Sequence, residues 1–282
     1  VKELNVLWVI DGRFMTEPMN VMLLSALGKR DRPHCHSHIA LLERGEVMSA
    51  VRRIKPQIVA ASCITGSHKI YLEMFREVKR ECGQGVFTIL GGPYCSTYPE
   101  TIAENECLDA IGVYECDEAW PEFLDAFERD REEIHEIRNI LTRKNFGRAL
   151  EKISSSDVTR VRREFYRPRF SDLDSLPYLD RALLDGTPFT GLYKRTHMAG
   201  RGCPHRCTYC FEREWNVVYK DRGSMFQRYS PRRFCEELAS VKRAYDTRFF
   251  KMYDDVFPTY PSDTSWLEEF AEIYPRLVGL PF

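Results

Sequence analysis

Residues 201–211 read RGCPHRCTYCF, with Cys203, Cys207 and Cys210 in a CxxxCxxC spacing. Clustered thiolates of this kind ligate zinc or build iron–sulfur sites. A structural zinc site takes four ligands, usually as two pairs. No second pair follows here: Cys235 lies downstream inside a helical pattern, and neither His197 nor His205 supplies a fourth ligand at a common zinc spacing. A cubane cluster asks for one outer ligand on each of four irons, so three thiolates leave one iron open to a substrate or cofactor. The surrounding residues suit that task. Gly200 and Gly202 permit unusual backbone angles, Pro204 stiffens the turn, and Tyr209 and Phe211 are placed to shield a cluster from water.

Other residues invite chemical readings. Asp254 and Asp255, in MYDDVF, follow an apolar run where the end of a parallel strand is expected. One of the pair can accept charge-assisted hydrogen bonds from an ammonium group, the alternative being a strand-end turn or helix cap. His34, His36 and His38 alternate around Cys35, which puts the histidines on one side of a strand. No carboxylate or cysteine pair completes a metal site, so an exposed edge or a loop is expected there. Cys63, Cys95 and Cys116 each fall just after an apolar run. They read as a second cluster or, preferably, as small buried cysteines. Arg160, Arg162, Arg163, Arg167 and Arg169 alternate with Phe165, Tyr166 and Phe170, as an RNA-binding strip would. The chain carries a net charge of only -1, which favours a solvated face.

These residues need elements to position them. A chain of 282 residues with 43% hydrophobic content fills about two domains. Residues 5–11, 57–62, 86–90 and 109–114 are apolar runs suited to strands buried on both faces of a parallel sheet. Between them residues 67–82 repeat Tyr71, Met74, Phe75 and Val78 at helical spacing. The fold class is therefore α/β, with a doubly wound, Rossmann-like domain over 1–130. Residues 131–190, rich in charge, read as a linker with a hairpin or irregular excursion. A βα rhythm resumes over 191–282: a strand into the cysteine loop, a helix over 230–245 capped by Ser230 with Pro231 at its first position, a strand at 248–257, and a last helix ending by Pro275. That pattern is the start of a (β/α) barrel, apparently truncated. No apolar run approaches a membrane span, no signal peptide is evident, and the ten cysteines lack a secreted spacing. A soluble, cytoplasmic protein with a small-molecule substrate is expected, with neither a membrane nor a nucleic acid as partner.

The CxxxCxxC loop, with an aromatic before its third cysteine and at the end of a strand opening a βα repeat, resembles the radical S-adenosylmethionine (radical SAM) enzymes. The resemblance implies a 4Fe-4S cluster on Cys203, Cys207 and Cys210 whose open iron is chelated by S-adenosylmethionine. One electron, from an external donor such as flavodoxin or ferredoxin, then releases a 5'-deoxyadenosyl radical. It also implies S-adenosylmethionine contacts from Tyr209 and Phe211, and from Asp254 or Asp255.

The segments before the cysteine loop resemble the cobalamin-binding domain of one large subgroup of these enzymes: GGPY at 91–94, YECDEAWPEFL at 114–124, and the linker-like FSDLDSLPYLDRALLD at 170–185. The resemblance implies cobalamin contacts from Asp11, Gly12, Ser62, Thr65, Gly91, Gly92, Pro93, Tyr94, Glu115 and Glu118. Two departures stand out. Asp11 and Gly12 are followed by Arg13 and Phe14 where many cobalamin domains carry a histidine for cobalt, so binding without histidine ligation is expected. Tyr94 stands where the loop usually has histidine. The function implied is a cobalamin-dependent radical methyltransferase acting on a weakly activated carbon of a small metabolite. Cyclisation or rearrangement, an RNA-modifying methylthiotransferase with a second cluster, and a non-catalytic cobalamin-binding module are the alternatives.

Overall fold

The structure is a computed structural model that describes residues 3–14, 16–42, 45–152, 159–257 and 264–282. Its contacts divide the chain into two units, residues 1–167 with 179–183, and residues 168–178 with 184–282.

In the first unit the apolar runs are strands. β1 (Leu4–Ile10), β2 (Cys35–Leu41), β3 (Ile58–Ser62), β4 (Phe87–Gly91) and β5 (Ala110–Gly112) lie parallel in the order β2-β1-β3-β4-β5. Val6 pairs with Ile58 and Ala60 with Ile89. Val6, Leu7, Ile58, Val59 and Leu90 have no exposed surface, so these strands carry continuous apolar runs rather than alternation. The connecting helices are α1 (Met19–Arg30), α2 (Glu46–Ile54), α3 (His68–Cys82), α4 (Pro93–Thr97), α5 (Thr101–Glu104) and α6 (Ala119–Arg129). α1 packs with α6 and α2 with α3. Right-handed crossovers place these two pairs on opposite faces of the sheet, the doubly wound arrangement. α3 buries Tyr71, Met74, Phe75 and Val78, the stripe read from its periodicity.

The expected boundary at 130 differs from the structure. β6 (Ile140–Thr142) adds an antiparallel edge beside β5. α7 (Arg143–Ala149) follows under a capping box of Thr142 and Asn145, and β7 (Leu150–Lys152) pairs antiparallel with β8 (Thr159–Val161). Asn139, at φ +72°, donates from Nδ2 to Val113 O and accepts at Oδ1 from the Arg167 N–H. These elements are too short to show a period, so a charged sequence reads as linker. Residues 179–183 also return to the first unit. The Asp180 carboxylate accepts from Ser25 Oγ at 2.5 Å and Lys29 Nζ at 2.6 Å, and Arg181 Nη1 lies 2.8 Å from Glu17 Oε2 with both side chains almost fully buried. Of the arginine strip, Arg167 donates to Arg138 O and pairs with Glu122, while Arg169 is buried in the second unit.

The second unit holds β9 (Lys194–His197), β10 (Gly200–Arg201), α8 (Glu212–Val218), β11 (Gln227–Arg228), α9 (Pro231–Ala244), β12 (Phe249–Met252) and α10 (Ser265–Leu277). β9 and β12 pair in parallel, β10 and β11 antiparallel. Ser230 caps α9 by accepting from the Arg233 N–H at 3.2 Å. α9 packs on α10 through Phe234, Trp266 and Phe270. The last helix runs past Pro275 to Leu277 and buries Trp266, Phe270 and Tyr274. Its end is closed by the N–H groups of Val278 and Gly279, both donating to Tyr274 O, with Gly279 at φ +60°. No helix among the described residues is long and apolar enough to cross a membrane.

Glu17→Gln removes the carboxylate charge that faces the buried Arg181 guanidinium. Breaking such a pair costs about 3–5 kcal/mol, so urea titration is expected to show a loss of that order, against less than about 1 kcal/mol for the exposed pair variant Glu133→Gln.

Candidate functional site

Each unit presents its own cluster of candidate residues. In the first, the chain leaves β1 for β2 on one side and returns to β3 on the other. The crevice of such a sheet opens at the carboxyl ends of the strands beside that reversal. Asp11 and Gly12 follow β1, Ser62 and Thr65 close β3, Gly91 to Tyr94 close β4, and Glu115 and Glu118 follow β5. The topology thus collects every residue of the cobalamin set on one sheet edge.

The local geometry sorts them. Asp11 accepts from the Arg13 N–H at 3.1 Å and from Nε at 2.9 Å, and these hydrogen bonds hold its carboxyl below the usual range. Ser62 Oγ accepts from Asn20 Nδ2 at 2.7 Å. Gly92 has φ +95°, and a methyl group there would stand 2.5 Å from Cys63 O, so the β4 loop lies flush on the end of β3 only with glycine. Tyr94 is packed rather than presented: its ring stacks on His68 with centroids 4.3 Å apart, and its hydroxyl lies 3.3 Å from Thr101 Oγ1. Glu118 is exposed, 3.9 Å from Arg167. The β3 loop offers exposed Ile64 and Thr65 and open space around Gly66 at φ +102°. An apolar contact beside a hydroxyl and bare backbone fits in kind the broad, amide-fringed ring of cobalamin.

Cys63 and Cys116 each lie within electrostatic reach of Cys95. Burial pushes Cys63 and Cys116 up to about 12 and raises Cys95 as well, which favours the thiol form at all three. The three histidines diverge: His34 pairs with Glu128, His36 with Glu3 and His38 with Asn5. Among the described residues no three His, Cys, Asp or Glu side chains stand in a metal-holding arrangement.

The cysteine loop of the second unit differs from that trio, in which Cys63 and Cys95 are buried and Cys116 half-buried, in having an exposed member. Cys203 is almost buried, Cys210 half-buried and Cys207 exposed, so iron and sulfide can reach these thiols. Cys203 and Cys210 lie within electrostatic reach of each other. The loop leaves β10 at Gly202, φ +85°, where a methyl group would overlap Met225 O and stand 2.6 Å from Arg169 Nη1. A turn closes with the Cys210 N–H on Cys207 O at 3.1 Å and runs into α8. Asn216 of α8 donates to Cys203 O at 2.9 Å, while its own Oδ1, like Gln227 Oε1, is buried without a hydrogen bond. Three thiols on a glycine-hinged loop, with an orphaned acceptor behind it, fit a three-thiolate cluster in the chemistry of the donor set. Tyr209 is 91% exposed and Phe211 46%, so neither shields the loop.

The two aspartates divide. Asp254 accepts from the Ala199 N–H at 3.0 Å and the Gly200 N–H at 2.8 Å; burial pushes it up to about 6 despite these bonds. Asp255 is exposed at the end of β12, and its charge acts on Cys203. Burial raises it and the Arg169 charge lowers it. Behind the loop, His197 Nε2 stands 3.1 Å from Glu237 Oε1, whose other oxygen lies 2.8 Å from Arg233 Nη1. Sequence reasoning missed Asn216 and Glu237, and read Arg169 only as part of the arginine strip. Asn216 carried a signal, being four residues after Glu212 on one short helix; Arg169 carried none.

Two outcomes follow. Gly202→Ala is expected to cost more than about 2 kcal/mol by urea titration, because both neighbours of the added methyl are fixed and the φ is positive. Asp254 binds a proton in the folded state up to about pH 6 and in the unfolded state only to about 4. Its contribution to stability therefore falls as pH rises from about 4 to 6, and the stability difference between the protein and Asp254→Asn should decline across that window. A flat difference would refute the assignment.

No known protein-family profile matches the chain, and no curated protein does so. Solved structures do match. The apo, selenomethionine-labelled cobalamin-dependent S-adenosylmethionine radical enzyme OxsB superposes with TM-score 0.67 at 15% identity, over 96% of this chain and 36% of that one. The same enzyme with aqua-cobalamin bound gives 0.63 at 16%, over 96% and 37%. The radical S-adenosylmethionine methyltransferase TsrM from Kitasatospora setae, with tryptophan substrate and aza-SAM bound, gives 0.63 at 14%, over 95% and 50%. The chain spans about a third to a half of the length of these structures, and over nearly all its own length it has a fold found in cobalamin-dependent radical S-adenosylmethionine enzymes.

Proposed function

We propose that the chain is the cofactor-bearing part of a cobalamin-dependent radical S-adenosylmethionine enzyme that methylates a weakly activated carbon of a small molecule. The observation that carries this reading is the CxxxCxxC loop following the first of two parallel strands, on a chain with the fold of such enzymes. On this reading β9 and β12 open a (β/α) barrel. All ten cysteines are free, which suits a reducing compartment such as the cytoplasm.

Each residue then has a task. Cys203, Cys207 and Cys210 hold three irons and leave the fourth open. Asp255, exposed at the strand end, receives the amino group of S-adenosylmethionine through charge-assisted hydrogen bonds, since both Asp254 oxygens are occupied by backbone. Tyr209 and Phe211 cover the bound cofactor, their exposure making them available for it. Asp11, Gly12, Ser62, Thr65, Gly91, Gly92, Pro93, Glu115 and Glu118 line the cobalamin crevice. Tyr94 supports that crevice by packing, and the segment after Gly12, Arg13 and Phe14, would offer no histidine to a bound cobalamin. When bound, the cluster with S-adenosylmethionine supplies hydrogen-abstracting radical chemistry and cobalamin supplies methyl carriage. A bound cluster would require an external one-electron donor such as flavodoxin or ferredoxin.

Anaerobic reconstitution with iron, sulfide and hydroxocobalamin, followed by desalting and metal counting, tests the reading. About four irons and one cobalt per chain are expected. Iron without cobalt would remove cobalamin from the proposal, about eight irons would favour the two-cluster methylthiotransferase, and no iron would overturn it. Cys207→Ala is expected to lose the cluster absorbance while the first unit keeps its circular dichroism; a normal cluster spectrum in that variant would sink the assignment.

A further inference from the structure

Arg169 has no task in the scheme above, yet its position is specific. It is 5% exposed, its N–H donates to Arg222 O at 2.9 Å, and Nη1 donates to Met225 O at 2.9 Å. Its guanidinium carbon lies 5.4 Å from the centre of the Tyr219 ring. Both terminal nitrogens lie against Gly202, the residue before Cys203: a methyl group there would stand 2.6 Å from Nη1 and 2.9 Å from Nη2. Its charge also acts on Asp255. A permanent cation, withdrawn from water, therefore sits at the base of the cysteine loop.

We infer that Arg169 is a positioning and charge-setting residue for the cluster, raising its reduction potential; this rests on the assignment of the cluster to Cys203, Cys207 and Cys210. Reduction adds one electron from a low-potential donor, breaks no bond and makes the cluster with its thiolates one unit more negative. A fixed positive charge stabilises the reduced form more than the oxidised one, and here it opposes the Asp255 and Glu212 charges that act on Cys203. Glycine at 202 is what lets the guanidinium approach so closely. Holding Met225 O and Arg222 O, the same side chain and its backbone fix the segment that Gly202 packs on.

The test uses the full chain reconstituted anaerobically with iron and sulfide. The reduced cluster is followed by electron paramagnetic resonance during a potentiometric titration with dithionite. Arg169→Gln keeps a donor for Met225 O without the charge, Arg169→Met removes both, and Arg169→Lys keeps the charge. The expected result is a midpoint shifted to more negative potential in the Gln and Met variants, with Lys nearer the unsubstituted protein than either. Equal midpoints in all four proteins at normal iron content would overturn the inference alone. So would neutral variants that fail to fold while Arg169→Lys folds, for Arg169 would then serve the fold. An unsubstituted chain that takes up no iron would overturn the cluster assignment itself.

Discussion

A loop that presents three sulfurs needs a fixed point of departure, and the carboxylate of Asp254 provides it. β9 and β12 are four-residue strands, and their ladder ends at His197 and Met252. Beyond that point the N–H groups of Ala199 and Gly200 would lack partners in a partly buried setting, a deficit that costs about 1–3 kcal/mol per group. Asp254 takes both, one on each oxygen, while the Tyr253 N–H returns to His197 O. One side chain thereby extends the register of a parallel pair past its ladder. Gly200 is pressed at the same time against Gln227 O of β11, where a side chain has no room. The route into the cysteine loop is fixed from two sides before any sulfur is reached.

Charge is placed around that route in layers. Glu237 of α9 is held between His197, at the strand end, and Arg233, whose guanidinium also stacks 4.1 Å from the Tyr178 ring and donates to Leu176 O. The strand that carries the loop thus meets the helix layer at a buried carboxylate that the Arg233 guanidinium compensates. The first unit solves its positioning problem differently. Its crevice rests on backbone: the Cys63 N–H on Gly91 O, the Tyr94 N–H on Cys63 O, and a glycine pressed against the neighbouring strand end. The strand ends of the first unit are thus closely packed through backbone, whereas the strand that leads to the cysteine loop is flanked by buried charge.

What was legible in the sequence follows from the range of the interactions involved. Strands buried on both faces announce themselves as apolar runs, and Tyr71, Met74, Phe75 and Val78 announce α3, because one local property repeats. Ser230 and Pro231 marked the start of α9 for the same reason. The cysteine loop was singled out through ligand chemistry and spacing alone. The division of labour between Asp254 and Asp255 was not, since it depends on which carboxylate meets the backbone of residues 199 and 200, more than fifty positions away. Arg169 read as one arginine in a charged stretch, because burial of a single cation leaves no period. Residues 131–167 read as linker because three-residue strands and a seven-residue helix fall below the length at which a pattern can form.

The path of the chain between its units has a consequence for how such a protein is inherited. The chain passes from one unit to the other after residues 167, 178 and 183, and Asp180 and Arg181 are anchored to α1 and Glu17 while the residues on either side belong elsewhere. No single breakpoint separates the two units with all their residues. A gene fusion or recombination event that joined them at one junction would strand a buried arginine or its carboxylate partner in the wrong half. The two units are therefore expected to travel through evolution as one inseparable block, with shuffling confined to whatever lies beyond it.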